Sequence, residues 1–364
     1  MIKIDVSTRN ILLFFIVIGT AIRLWQLEFQ CAWLEEQYTI WITSLDWYSM
    51  IYTSITVDFT PPLYYIVAKT FSMVFPYWWS MRIPSVIFGV LVIPAMYLLG
   101  REYKDDFTGV LCTGIASILF PLVYYSQYGR AYALLHFLFV VFLIFYLREC
   151  KGKQSIWFWV AGILCIYTHL FAVIPVFLVA ADIIRRNYDI GIKSIFYGFI
   201  TFSIATIPLI IIMFGSIILT RSSGSEFGLD PAILILTTPG EIFGVLFVVL
   251  GVFVIVSYFV TENKRIWSTL VLTSIITIIS GIALSGVTSI FPRYYAATSG
   301  IILLLFAGDG IASAIKMVES KIPLQKDQVA AIIIVVFLAL QYTDFVSQYT
   351  IQKYVCTNLF GFTT

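Results

Sequence analysis

The residues best suited to chemistry lie in one short stretch. Glu35 and Glu36 are adjacent, Asp46 and Asp58 follow, and no Lys or Arg interrupts residues 33–62, which hold four of the chain's 20 acidic residues. Seven bases, Arg23, Lys69, Arg82, Arg130, Arg221, Arg293 and Lys353, are scattered along the chain at the edges of apolar runs or just inside them. Ionisable groups at membrane depth are functional candidates by default. Two neighbouring carboxylates on a helix point about 100° apart, so Glu35 and Glu36 cannot face one ligand equally.

What must position these groups is a membrane protein. The chain is 60% hydrophobic and 12% charged, with a mean hydropathy of +0.95. A soluble domain carries about 25% charged residues. Apolar runs over 10–25, 83–100, 107–125, 131–147, 155–169, 171–184, 194–219, 239–260, 267–285, 294–315 and 328–345 predict about eleven spanning helices, some near the short end of the usual length. The block 155–184 is too long for one span and is divided near His169-Leu170. The first run follows Lys3 and Arg9 without a small-residue cleavage site, so it reads as an uncleaved span and not a signal peptide. The predicted fold class is therefore all-α, a polytopic integral membrane protein. Residues 1–346 are expected to form the transmembrane domain, with 26–82 its first outer loop, and 347–364 are expected to be a short outer tail with no soluble domain.

Residues 61–75 are apolar but short and contain Lys69. The positive-inside rule fixes their state. If they do not span, most of the 22 basic residues fall in cytoplasmic segments together with the N-terminus, and only the seven bases above are left at or near the outer surface. Residues 61–75 are thus expected to form an interfacial or re-entrant helix, opened by Pro61-Pro62, where missing N–H groups cost little. Leu34, Tyr38, Trp41, Leu45, Tyr48, Tyr52 and Ile55 recur every three or four positions. That spacing predicts one or two amphipathic helices lying on the outer leaflet, broken near Ser44–Asp46. The five cysteines show no metal spacing; the topology would allow a Cys31–Cys356 disulfide.

Trp33-Leu34-Glu35-Glu36, followed by Asp58-Phe59-Thr60-Pro61-Pro62-Leu63-Tyr64-Tyr65, resembles the W-x-D-E and H-P-P-L-Y-Y pattern of family 39 GT-C glycosyltransferases. That family includes protein O-mannosyltransferases and the lipid A aminoarabinose transferase. Arg82-Ile83-Pro84-Ser85 looks like its R-L-P-S, and residues 124–132, from Tyr124 to Tyr132, look like its Y-Y-S-x-E-A-R-x-Y loop. Tyr167-Thr168-His169 and Phe291-Pro292-Arg293-Tyr294 resemble its T-H and R-Y signatures. The match is good over residues 20–175 and looser beyond. Three positions depart from the pattern. Glu35 replaces the first acid of the family's Asp-Glu pair, Thr60 replaces a His, and Tyr128 replaces an acid. The last two changes remove possible metal ligands, so no cofactor is expected and dependence on a divalent metal is left open.

The resemblance implies transfer of a sugar from a polyprenyl-phosphate donor to an acceptor (glycan, lipid or protein) at the outer face of the cell membrane. The lipid bilayer is the medium and no nucleic acid is involved. The leaving phosphate is already ionised, so at most one carboxylate is needed, as general base on the acceptor hydroxyl. Glu35 and Glu36 are the catalytic candidates. Arg130 and Arg293 are candidates for the donor phosphate, which a planar guanidinium suits; each also reads as a base snorkelling to the interface. Arg82 and Arg23 read as anchors before ligands. Lys69 either snorkels or meets phosphate, and Asp58 either caps a turn or adds a second acid. His169 either packs or contacts substrate, whereas His136 is assigned to packing. Tyr132 and Tyr294 complete the substrate-binding set. Tyr64, Tyr65 and Tyr128 are placed to line the site, though interface aromatics need no function. The rival classes are a transporter or flippase of lipid-linked sugars and an inactive membrane scaffold. The absence of internal repeats and the clustering of charge at one surface favour an enzyme over a transporter.

Overall fold

The computed structural model describes residues 6–25, 27, 32–75, 77–186, 192–221, 231–285, 292–319, 336–337, 339–342 and 344–346. All regular structure among them is helical. The chain runs through α1 (Val6–Leu24), α2 (Leu34–Ser44), α3 (Trp47–Thr56), α4 (Leu63–Val74) and α5 (Arg82–Tyr103). It continues through α6 (Asp106–Ile118), α7 (Phe120–Ser126), α8 (Tyr132–Cys150), α9 (Ile156–Thr168) and α10 (Val173–Arg186). The last are α11 (Ile192–Arg221), α12 (Pro231–Phe243), α13 (Phe247–Val260), α14 (Lys264–Ser285) and α15 (Pro292–Glu319). The Cys31–Cys356 pair, residues 222–230 and the 347–364 tail lie outside the described residues.

The protein has the fold of a polytopic membrane protein. By length and composition, five described helices can cross a bilayer: those of α5, α8, α11, α14 and α15. The number rises to seven if the bent pairs α6–α7 and α12–α13 each make one span. The remaining expected spans correspond to α1, to the shorter α9 and α10, and to 328–345, most of which is not described. With 13 residues, α9 rises about 20 Å, against a hydrocarbon core of about 30 Å. The 155–184 block does break where expected, with α9 ending at Thr168 and α10 starting at Val173.

The apolar window 107–125 is not one helix. It bends by 58° between α6 and α7, and the cause is local. Pro121 has no N–H, so the Ser117 carbonyl loses its helical partner. The Phe120 N–H turns to the Gln341 side-chain oxygen, which leaves the Ala116 carbonyl open as well. Arg23, fully buried, fills both vacancies, donating to Ser117 O at 2.8 Å and Ala116 O at 2.9 Å. It also reaches Gly19 O at 3.0 Å and Ser126 Oγ at 3.1 Å. The close approach needs a glycine on α5, since a Cβ at Gly89 would lie 2.0 Å from Ser126 Oγ. The anchor role read for Arg23 thus has a definite partner, the carbonyls of a broken helix. Arg23→Met should strand two buried carbonyls, at about 1–3 kcal/mol each, and lower the thermal midpoint in detergent. Adding Pro121→Ala, which restores an N–H opposite Ser117 O, should recover part of that loss. An unshifted midpoint for Arg23→Met would refute this account.

Charge gathers at two ends of the bundle. At the end where α5 finishes, Lys104 meets buried Asp309 at 2.6 Å, Lys316 meets Asp105 at 2.5 Å and Arg148 meets Glu102 at 3.1 Å. Arg185 and Arg186 both pair with Asp182. The other end carries the first loop, folded as α2, α3 and α4. Asp46 accepts from the backbone of Tyr48 at 3.0 Å and Ser49 at 3.1 Å, and so starts α3 where the break was expected. Leu34, Tyr38, Trp41, Tyr48 and Tyr52 are exposed together. α4 is a short apolar helix covering the expected 61–75 segment.

Candidate functional site

The first loop is fastened to the bundle by one buried ion pair. Glu36 sits in the first turn of α2 and Arg82 opens α5, and both are fully buried. Arg82 grips the carboxylate in a fork, Nε to Oε1 at 2.7 Å and Nη2 to Oε2 at 2.6 Å. Two backbone donors complete it: Trp33 N–H at 3.0 Å and Gly129 N–H at 2.7 Å. Gly129 permits this approach, because a Cβ there would lie 2.6 Å from Met81 Cγ. Arg82 also donates to Leu27 O at 2.8 Å. Four donors therefore surround Glu36, and none of its oxygens faces solvent.

Glu35, one residue earlier, turns the other way. Its side chain is 24% exposed. Oε2 accepts from the Tyr128 hydroxyl at 2.8 Å, and Oε1 is paired with Arg293 in the first turn of α15. Burial first, and the Glu35 carboxylate second, hold the Tyr128 phenol well above its ordinary range. It therefore remains a hydrogen-bond donor to Glu35.

A third arginine pair lies close to α2, with Arg130 Nη1 3.5 Å from Thr39 Oγ1. Arg130 meets Asp58 at 3.0 Å. The Tyr65 hydroxyl lies between them, accepting from Arg130 at 2.9 Å and donating to Asp58 Oδ2 at 2.6 Å. Arg130 also approaches Thr60 Oγ1 at 3.4 Å. Between Asp58 and Thr60, Phe59 takes φ 49°, a conformation that costs a non-glycine residue about 1–3 kcal/mol. The turn before Pro61-Pro62 is therefore held against local preference where it delivers Asp58 to Arg130.

Aromatic rings pack beside these pairs. Tyr124, Tyr128, Tyr132 and Tyr294 stack in sequence at 5.7, 6.2 and 6.5 Å. His169 lies against Tyr132 at 5.7 Å and Tyr294 at 5.4 Å. Its Nδ1 accepts from Phe171 N–H at 3.3 Å, capping the short turn between α9 and α10. Lys69 is placed differently. Its ammonium caps the C-terminal end of α2, donating to Thr43 O at 2.8 Å and to Leu45 O, over the Trp47 ring.

The structure thus brings together Glu35, Asp58, Arg130, Tyr132, His169, Arg293 and Tyr294. It buries Glu36 and Arg82 as the clamp beneath them and assigns Lys69 to a helix end. Sequence reading gives Tyr65 and Tyr128 only a lining place, yet each bonds an acid of the site. The motif position of Tyr128, where the resembling family has an acid, is the available signal.

No family model and no curated protein matches this chain. Solved structures do. ArnT from Cupriavidus metallidurans in the apo state superposes with a TM-score of 0.61 at 14% identity, covering 84% of this chain and 60% of that one. The same protein bound to undecaprenyl phosphate gives 0.56 at 13% identity, covering 82% and 59%. Archaeal oligosaccharyltransferase AglB from Archaeoglobus fulgidus, in complex with an inhibitory peptide and a dolichol-phosphate, gives 0.54 at 12% identity, covering 93% and 55%. The chain spans less than two thirds of the length of each. At these identities the likeness is one of fold.

Proposed function

We propose that this protein is a membrane glycosyltransferase that moves a sugar from a polyprenyl-phosphate donor to an acceptor hydroxyl. The observation that carries the reading is the mouth of the site. One partly exposed carboxylate, Glu35, stands between an arginine and a phenol, on a fold shared with ArnT bound to undecaprenyl phosphate and AglB in complex with a dolichol-phosphate. Glu35 takes the proton of the acceptor hydroxyl. The acceptor oxygen forms its bond to the anomeric carbon as the bond from that carbon to the phosphate oxygen breaks. The electron pair leaves on the phosphate, where Arg293 and Arg130 neutralise it. A single displacement inverts the anomeric centre. The charge distribution of the sequence supports a site at the outer face of the cell membrane.

No step is routed through a metal ion. Among the described residues no group of three His, Cys, Asp or Glu side chains is placed to hold one. Thr60 and Tyr128 supply only hydroxyls, and Glu35 and Asp58 already carry arginine counter-charges. A transporter reading draws on broken helices, and α6–α7 is one. The carbonyls freed there are occupied by Arg23, however, and not offered to a cargo.

The test is donor turnover. Reconstituted protein is given a panel of polyprenyl-phosphate sugars with membrane extract, and free polyprenyl phosphate is followed by mass spectrometry. Release is the expected result. Movement of donor between leaflets without release would make the protein a flippase.

A further inference from the structure

Glu35 and Glu36 differ in how their carboxylates are held. Glu36 has four donors and no exposure. Glu35 has one donor on each oxygen, and the two come from separate parts of the chain. Tyr128 belongs to the link between α7 and α8, whereas Arg293 belongs to α15. Arg293 and Glu35 both reach the mouth, with side chains 21% and 24% exposed. On the reading above, Arg293 has a second anion to serve, the donor phosphate. The guanidinium nitrogen that meets Glu35 cannot hold carboxylate and phosphate at full strength together.

We propose that Arg293 is shared: Glu35 holds it in the ligand-free protein, the donor phosphate draws it away, and Tyr128 keeps the freed carboxylate in place as the base. This inference rests on the glycosyltransferase reading. Donor binding then unmasks Oε1 of Glu35 while the hydroxyl of Tyr128 stays on Oε2. Tyr128 is a positioning residue, acting through Glu35 and not on substrate. Its ring lies in the stack with Tyr124 and Tyr132, so the hydroxyl is aimed by packing and does not depend on Arg293. The exchange also sets an order, donor first and acceptor proton second.

Linkage gives the sharing a measurable consequence. If Glu35 competes with phosphate for Arg293, removing the Glu35 charge must tighten phosphate binding. The experiment uses the full chain in lipid nanodiscs, undecaprenyl phosphate as probe, and thermal unfolding to confirm that each variant is folded. Glu35→Gln is expected to bind the probe about tenfold more tightly than wild type, and Glu35→Ala serves as a second variant with the same expectation. Tyr128→Phe should leave probe affinity within about twofold of wild type. In the turnover assay it should lower kcat with little change in KM, a split that general loosening of the site would not give. Weaker or unchanged binding by both folded Glu35 variants would overturn the sharing and leave the transferase reading intact. Failure of wild type and every variant to bind the probe would remove the phosphate site itself, and the sharing with it.

Discussion

Replacing Glu35 by glutamine is expected to cut release of polyprenyl phosphate by about 10²–10⁴-fold, the usual worth of a positioned general base. The variant keeps the shape of the side chain and still accepts from Tyr128 through its amide oxygen. It loses the ability to take a proton, together with the charge that pairs with Arg293. Because the side chain is partly exposed and its pairs lie at the mouth, the thermal midpoint should shift little. Glu35→Asp is the informative companion. The resembling family carries Asp at this position, so the shorter acid should retain measurable turnover where the amide does not. Turnover undiminished by Glu35→Gln would mean that the acceptor arrives already ionised and needs no base. The assay reads the lipid product directly, so it tests the base whichever acceptor in the membrane extract takes the sugar.

Much of this arrangement is legible in the sequence because it rests on bulk properties. Hydropathy marks the long apolar helices, and the short apolar run 61–75 forms the 12-residue α4. Asp46 announces the start of α3 because a side-chain oxygen before an apolar run is a local device. What the sequence leaves open depends on partners far along the chain. Glu35 and Glu36 are the same residue type in adjacent positions. Only Arg82 and Gly129, supplied by other elements, make one a clamp and leave the other at the mouth. Lys69 reads as either a snorkelling or a phosphate-binding lysine until α2 brings its carbonyls within 2.8 Å. The bend at Pro121 is hidden because hydropathy averages over a window and does not register a missing N–H. Tyr128 presents the converse case. In the sequence it reads as a lost acid and hence as a lost ligand, whereas the structure turns its hydroxyl into a donor for the acid that remains.

Glu36→Gln should act on stability and not primarily on chemistry, at a cost of about 3–5 kcal/mol for breaking a buried pair from one side. The amide oxygen keeps part of the hydrogen bonding. The amide nitrogen, however, is a donor facing Arg82, Trp33 N–H or Gly129 N–H, where an acceptor is required. Arg82 would also be left buried with no carboxylate to neutralise it. Arg82→Met should cost a similar amount by leaving the carboxylate buried without a cation. The double variant, Glu36→Leu with Arg82→Met, separates charge from geometry. Replacing both members of a buried pair by apolar groups is often close to neutral, so it should recover more than half of either single loss. Full recovery is not expected, since the N–H groups of Trp33 and Gly129 and the carbonyl of Leu27 would still lack partners. Thermal midpoints of the three variants decide the matter. A Glu36→Gln protein that unfolds at the wild-type midpoint yet has lost turnover would move the base from Glu35 to Glu36. The expected order, with both singles far below the double, would instead place Glu36 beneath the chemistry, as the pin that fixes the first turn of α2 so that Glu35 can point at the donor.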